Sequence, residues 1–195
     1  MTKTVDFYFD FGSPTAFLAF KRLRQLEQSH GLKVDYRPVL LGGVFKATGN
    51  VSPVTIPAKG AYMLTHDLPR FAKRYNVQIN FNPHFPINTL KLMRGALVAI
   101  KLDCLPAYMD AMFDAMWIDG KNMGNLDVVR EVMEAAGLPA DDLIAGMDDP
   151  EVKKILIKTT EDAVTRGLFG VPTLFMGEEM FFGQDRLDFV EAALA

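Results

Sequence analysis

The chain has 195 residues, 49% of them hydrophobic, and a formal net charge of -3. This length and apolar content suffice for one compact unit with a substantial core, and the single cysteine, Cys104, excludes an intramolecular disulfide, a CxxC redox centre and a cysteine-rich zinc site. A slightly acidic balance without a long basic block excludes the electrostatic signature of nucleic-acid binding, so we expect a small-molecule partner and no nucleic acid.

The amino-terminal segment MTKTVDFYFDF has no basic region followed by an apolar run of signal-peptide length. No later segment approaches the roughly 18 apolar residues of a membrane-spanning helix. The sequence therefore predicts a cytoplasmic protein with no membrane partner, in a reducing compartment that suits a lone cysteine.

Alternation of apolar and polar residues over 5–10 predicts a β-strand with unlike faces. Ser13 then suits the cap of a helix, and Pro14 suits its first turn because the missing amide hydrogen would be unpaired there anyway. Apolar spacing continues this helix to about Ser29. A second strand over 33–38 completes a β-α-β opening typical of α/β folds.

Residues 40–57, LLGGVFKATGNVSPVTIP, are rich in glycine and proline and predict a long loop that covers a pocket. Helical periodicity then predominates to about residue 145, with breaks at NFNPHFP, LP, DGKNMGN and GLP. The predicted helices lie near residues 59–75, 88–102, 106–117 and 126–137.

A further helix is predicted over 151–166, and the remaining residues indicate a strand, a tight turn, a strand and a final helix. Strands at both ends with helices between them predict an α/β domain interrupted by a helical insertion. We assign residues 1–42 and 150–195 to a discontinuous α/β domain, and residues 43–149 to the loop and the helical insertion.

Five short motifs follow one another along the chain: FDFGSP, GN, PAKGAYM, FGVPT and FGQDR. In this order they resemble the 2-hydroxychromene-2-carboxylate isomerases and kappa-class glutathione transferases of the thioredoxin-like superfamily, over nearly the whole chain. The resemblance implies a thioredoxin-like domain with an inserted all-helical domain, in a DsbA-like arrangement. It also implies glutathione as the cofactor and a homodimer.

Ser13 lies at the predicted helix start, where thioredoxin-like redox proteins carry a cysteine. Taken alone, a serine before a proline there is most simply a helix cap. A hydroxyl at a helix N-terminus can also donate a hydrogen bond to a thiolate, which the helix dipole favours at the same place. Both effects lower the pKa of a bound thiol, and the thiolate is the reactive form. The resemblance implies that Ser13 is the catalytic residue and holds the sulfur of glutathione.

The resemblance implies a cis bond between Val171 and Pro172, and pairing of the Val171 backbone with the cysteinyl segment of glutathione. The base rate for X-Pro bonds favours trans, with Pro172 as the first residue of an edge strand. Gln184 and Asp185 are implied to hold the γ-glutamyl end, Asp185 through the ammonium group of the ligand. Asp185 equally suits an N-cap of the final helix. Gln184 replaces a serine common in the kappa class, which removes any hydroxyl contact there.

Asn50 and Lys59 match the GN and KG elements, which in the family lie near glutathione. Taken alone, Asn50 is a turn residue and Lys59 an exposed lysine at a helix start. The Lys59 ammonium group is suited to a carboxylate of glutathione.

Three histidines, His30, His66 and His84, lack metal-ligand spacing, which predicts no metal site. Trp117 most simply packs in the core or an interface, with a pocket wall as the alternative.

The leading prediction is a glutathione-dependent cis-trans isomerase of 2-hydroxychromene-2-carboxylate or a related aromatic 2-oxo acid. In the scheme that the resemblance implies, a thiolate adds to a conjugated enone of the ring-opened substrate, the new single bond rotates, and the thiol is eliminated. The segment NFNPHFPINTL differs from the kappa class and favours the isomerase.

Two alternatives remain open: a kappa-like glutathione transferase or peroxidase, which would share the glutathione site, and a thioredoxin-like binding module without catalysis. A thiol-disulfide oxidoreductase is disfavoured because Ser13 cannot form a mixed disulfide.

Overall fold

A four-stranded mixed sheet organises the chain in a computed structural model, which describes residues 3–194. The strands lie in the order β2-β1-β3-β4. Strand β1 pairs in parallel with β2 and antiparallel with β3, which in turn pairs antiparallel with β4. Their bounds are β1 Thr4–Phe9, β2 Lys33–Pro38, β3 Thr173–Met176 and β4 Glu179–Phe182.

Helix α1, Pro14–His30, is the crossover between the two parallel strands. It begins where Ser13 caps it and ends at Gly31, whose φ of 63° lets its N–H bond back to the carbonyl of Glu27. The predicted β-α-β opening is therefore confirmed with nearly the predicted bounds.

Most of the remaining helices lie between β2 and β3. One of them is interrupted by a π-helical segment, Met63–Asp67, and short 3-10 turns cover Pro53–Thr55 and Gln184–Arg186. The further helices are α2 Leu41–Thr48, α3 Pro57–Tyr62, α4 Leu68–Tyr75, α5 Leu90–Lys101, α6 Leu105–Trp117, α7 Leu126–Ala135, α8 Ala140–Met147, α9 Pro150–Thr165 and α10 Leu187–Ala192.

Helix α2 replaces much of the long loop predicted over residues 40–57, so the prediction of an irregular loop was wrong, whereas its position along a pocket is confirmed. Gly42 and Gly43 have a low helix propensity, but tertiary contacts override it. A Cβ on Gly43 would lie 3.3 Å from the Thr160 side chain, so the glycine allows α2 to pack closely on α9. The Leu40 N–H donates a hydrogen bond to the Thr160 hydroxyl at 3.0 Å, which anchors the start of α2.

This topology confirms the expected fold class, a thioredoxin-like domain with an inserted helical region in a DsbA-like arrangement. The exact division at residues 42, 43, 149 and 150 stays a prediction. Among the described residues, no helix is long and apolar enough to cross a membrane.

Gly95 on α5 lies where the packing of the helices leaves no room for a side chain. A Cβ at this position would collide with the Tyr108 hydroxyl and lie 2.6 Å from Cε of Met147. The Tyr108 hydroxyl is fully buried and donates a hydrogen bond to the Leu92 carbonyl at 2.9 Å, so it cannot move without losing a partner.

We expect Gly95→Ala to lower the free energy of unfolding by about 2 kcal/mol or more, because overpacking and the disturbed Tyr108 bond outweigh the better helix propensity of alanine. Gly42→Ala is the matched control on α2, since nothing lies within 4 Å of its Cβ position. It should be neutral or stabilise by about 0.5 kcal/mol. Chemical denaturation followed by far-ultraviolet circular dichroism measures both, and equal effects would contradict the packing argument.

Candidate active site

Ser13 occupies the N-cap of α1 and is only 5% exposed. Its Oγ accepts a hydrogen bond from the Ala16 N–H at 3.1 Å, which confirms the predicted cap. The first turn of α1 carries no acidic side chain, so the positive end of the helix dipole is not compensated there. This end of α1 is suited to an anion.

Strand pairing explains why Ser13 meets a residue 158 positions away. Because β1 and β3 run antiparallel, with Tyr8 opposite Thr173, the end of β1 lies beside the start of β3. The Ser13 Oγ lies 3.4 Å from the Val171 carbonyl oxygen. The two motifs at opposite ends of the sequence therefore form one site.

A cleft of about 780 Å³ opens over this junction. All seven predicted site residues line it, although they come from four separate segments of the chain. They are Ser13, Asn50, Lys59, Val171, Pro172, Gln184 and Asp185. The individual roles predicted for them toward a ligand stay predictions.

The bond between Val171 and Pro172 is cis, as predicted. The Pro172 carbonyl accepts a hydrogen bond from the Gly183 N–H at 2.9 Å, which ties this segment to the end of β4. The N–H of Val171 has no hydrogen-bond partner among residues 3–194. An extended ligand backbone can therefore pair there.

Asp185 does not cap the final helix, so that alternative was wrong. Gly183, with a φ of 102°, turns the chain into the 3-10 turn, and α10 begins only after Arg186, without a side-chain cap. The Asp185 carboxylate instead pairs with Arg186 at the surface of the cleft. Gln184 is buried, and its carbonyl accepts a hydrogen bond from the Tyr75 hydroxyl at 2.6 Å.

Asn50 and Lys59 line the cleft from the chain between β2 and α4, with Lys59 in α3. The Asn50 side-chain amide donates a hydrogen bond to the Phe169 carbonyl at 2.9 Å, and its Oδ1 accepts one from the Val51 N–H. Asn50 thus holds this segment against the one before Val171. Lys59 is exposed and forms no ion pair within the part of the chain that the structure describes.

Asp10 lies beneath the Ser13 turn, 1% exposed, and was not predicted as a site residue. Its Oδ1 accepts hydrogen bonds from the Gly12 N–H at 2.9 Å and the Thr89 hydroxyl at 2.7 Å. Its Oδ2 accepts one from the Leu41 N–H at 2.8 Å. The Asp10 carbonyl also accepts a hydrogen bond from the Ser13 N–H at 3.0 Å. Burial raises the pKa of Asp10 above its ordinary range, and the hydrogen bonds from the Leu41 N–H, the Thr89 hydroxyl and the Gly12 N–H offset part of this rise.

Apolar and aromatic side chains form much of the cleft wall and were also missed from the sequence. They come from segments far apart in the chain, so no local pattern marks them. The main members are Phe45, Tyr62, Met63, Phe85, Phe169 and Phe182.

Three residues considered from the sequence lie outside the cleft. Trp117 is completely buried and donates a hydrogen bond from Nε1 to the Phe11 carbonyl at 2.8 Å, so it belongs to the core. Cys104 lies between α5 and α6, as predicted, and burial raises the pKa of its thiol. His84 joins no group of potential metal ligands, and no such group occurs within residues 3–194.

The sequence profile of the DsbA-like thioredoxin domain matches residues 4–195. The 2-hydroxychromene-2-carboxylate isomerase of Sphingobium xenophagum is 34% identical over 100% of this chain and 99% of its own length. The chain belongs to the 2-hydroxychromene-2-carboxylate isomerase family, within the DsbA-like thioredoxin proteins.

A solved structure of 2-hydroxychromene-2-carboxylate isomerase is 32% identical and superposes with a TM-score of 0.89, covering 98% of this chain and 94% of the other. Glutathione S-transferase kappa 1 of Homo sapiens is 28% identical over 96% of this chain and 89% of its own length. The kappa-class relative thus aligns with nearly the whole chain, as the isomerases do.

The buried carboxyl of Asp10 predicts a pH-dependent stability in this member of the isomerase family. An aspartate in the unfolded chain has a pKa of about 3.9. Since folding raises the pKa of Asp10, its contribution to stability is full below about pH 3.9 and is lost as the pH rises through the folded-state value. Urea denaturation gives the free energy of unfolding of wild type and of Asp10→Asn at each pH. We expect the value for wild type minus the value for Asp10→Asn to fall as the pH rises from about 4.

Asp148→Asn is the control with the opposite sign. The Lys91 ammonium group lowers the pKa of Asp148, so the contribution of this carboxylate is present above about pH 3.9 and lost on acidification. The corresponding difference should rise with pH. A difference for Asp10→Asn that does not change with pH would show that Asp10 does not titrate differently in the folded state.

Proposed function

We propose that the chain is a glutathione-dependent isomerase of 2-hydroxychromene-2-carboxylate or a related aromatic 2-oxo acid. The observation that carries the proposal is the buried Ser13 hydroxyl at the N-terminus of α1, which faces a 780 Å³ cleft that Cys104 does not line. A thiol held at this serine must come from a ligand. The named isomerases that align over the full chain support the same reaction.

The polar groups that line the cleft are suited to the functional groups of glutathione. The unpaired N–H of Val171 offers a backbone partner to a peptide, Lys59 offers a cation to a carboxylate, and Asp185 offers an anion to the ammonium group. A volume of about 780 Å³ lies in the range of small-molecule sites and leaves room for an aromatic molecule beside a tripeptide.

When bound, glutathione supplies a thiol that adds reversibly to a conjugated enone, which allows rotation about the former double bond before the thiol leaves. The chain supplies positioning and electrostatics. Ser13 donates a hydrogen bond where the sulfur anion forms, and the end of α1 stabilises negative charge there. Phe45 and Phe85 hold the aromatic ring and exclude water from the reacting bond.

We expect Ser13→Ala to raise the pKa of the bound glutathione thiol by about 1 to 2, because a hydrogen bond to a charged group is lost. Turnover near neutral pH should fall by about 10- to 100-fold. The ultraviolet absorbance of the thiolate measures the pKa, and the isomerisation of 2-hydroxychromene-2-carboxylate with and without glutathione measures turnover.

Ser29→Ala is the matched control. Ser29 lies at the far end of α1, where its hydroxyl bonds to the Gln25 carbonyl and the His30 ring. It should leave the thiol pKa and turnover unchanged. Isomerisation by wild type that needs no glutathione, or an unaltered thiol pKa in Ser13→Ala, would overturn the proposed role of the serine.

We expect Lys59→Ala to raise the dissociation constant of glutathione about 3- to 10-fold, because one exposed charge-assisted contact is lost. The effect should shrink at high salt, which screens a surface charge. Calorimetric titration at two ionic strengths measures it, with Lys73→Ala on α4 as a control outside the cleft. Equal losses in the two variants would show that overall charge, rather than Lys59, sets the affinity.

A kappa-like glutathione transferase is the second candidate, favoured by the human kappa 1 relative that aligns over 96% of this chain. The two activities differ in the fate of glutathione. An isomerase returns free glutathione after each turnover, whereas a transferase leaves a stable conjugate that mass spectrometry detects. Glutathione binding with neither outcome would favour a binding module without catalysis.

The homodimer that the resemblance implies and the cytoplasmic location expected from the sequence stay predictions. Analytical ultracentrifugation of the purified chain tests the first, because a dimer has twice the mass of 21.7 kDa.

A further inference from the structure

The hydrogen bonds of the Ser13 hydroxyl leave one question open, namely where its proton points. A serine hydroxyl has one donor hydrogen and two acceptor positions. One acceptor position takes the Ala16 N–H at 3.1 Å. Two groups remain near Oγ: the Thr15 hydroxyl at 2.9 Å and the Val171 carbonyl at 3.4 Å, beyond the usual range for a hydroxyl donor.

Thr15 differs from most of the threonines in the helices of this chain. A helical threonine commonly donates its hydroxyl to the carbonyl four residues earlier. Thr15 lies in the first turn of α1, so no helical carbonyl lies four residues before it; Phe11, at that spacing, precedes the N-cap, and its carbonyl accepts the Trp117 Nε1–H at 2.8 Å. The Thr15 hydroxyl contacts Ser13 instead. The usual pattern is seen at Thr48, Thr65, Thr160 and Thr165.

Thr15 is also part of the cleft. It is half-buried, lines the cleft beside Ser13 and Pro14, and its hydroxyl has no other hydrogen-bond partner among residues 3–194. Since Pro14 and Thr15 form the first turn of α1, the backbone holds this hydroxyl in a fixed place relative to Ser13.

We propose that Thr15 is a positioning residue that donates its hydroxyl hydrogen to Ser13 Oγ and so directs the Ser13 proton to the sulfur of a thiolate bound in the cleft. With the Ala16 N–H and the Thr15 O–H both donated to Oγ, the two acceptor positions of Ser13 are filled. Its own proton then points away from both donors. A chain of hydrogen bonds also polarises each member, which strengthens the last bond.

This inference rests on the proposed function, because it requires a bound thiol. It adds no covalent step, since no proton leaves Thr15 or Ser13. The consequence is a lower thiol pKa than Ser13 alone would give.

The test compares Thr15→Val, which keeps the branched shape and removes the hydroxyl, with Thr15→Ser, which keeps the hydroxyl. Thiolate absorbance of bound glutathione is followed against pH in each variant. We expect Thr15→Val to raise the thiol pKa by about 0.5, a threefold loss of thiolate below the pKa, and Thr15→Ser to restore the wild-type value. Thr15→Ala provides a second variant without the hydroxyl should the valine disturb folding, which circular dichroism monitors.

A double variant, Thr15→Val with Ser13→Ala, shows whether Thr15 affects the thiol through Ser13 or by its own contact with the sulfur. If Thr15 acts through the serine, the double variant has the same thiol pKa as Ser13→Ala. An additional rise in the double variant would overturn the inference, because Thr15 would then contact the sulfur itself. The inference would also be overturned if the thiol pKa is raised in Ser13→Ala but unchanged in Thr15→Val. That result would leave the proposed function intact. If wild type fails to bind glutathione, the proposed function fails, and the inference with it.

Discussion

The site depends on one buried carboxylate that joins three separate parts of the chain. Asp10 accepts hydrogen bonds from the turn before Ser13, from the start of α2 and from Thr89 just before α5. The first carries the Ser13 hydroxyl, the second forms a wall of the cleft, and the third begins the packed helical region. A buried polar group is costly unless its hydrogen bonds are satisfied, so loss of any one of the three segments would destabilise the other two.

The strand order supplies the remaining constraint. Because β1 is central and pairs antiparallel with β3, the segment with Val171 and Pro172 must approach the N-terminus of α1. Asn50 then fixes the chain after α2 against Phe169. The cleft therefore combines polar groups, from the backbone and a helix terminus, with aromatic side chains. This combination is typical of small-molecule sites.

Local patterns in the sequence predicted the strands, α1 and the residues at turns, because alternation, caps and prolines act over a few residues. Helix α2 was missed since its stability comes from packing of Gly43 on α9, which is distant in sequence. The cap assigned to Asp185 was wrong because Gly183 inserts a 3-10 turn before α10. Asp10 looked like an ordinary polar strand residue, and only the tertiary structure shows the three donors that converge on it.

The bond between Trp117 and the Phe11 carbonyl has a practical consequence. Trp117 is the only tryptophan of the chain, and its acceptor lies two residues before Ser13. Its ring also contacts Phe85, with centroids 5.9 Å apart, and Phe85 lines the cleft. The tryptophan fluorescence of the protein therefore originates beside the cleft. A ligand that shifts the turn before Ser13, or Phe85, should change the Trp117 emission. Fluorescence of the native chain can therefore report ligand binding without an added label.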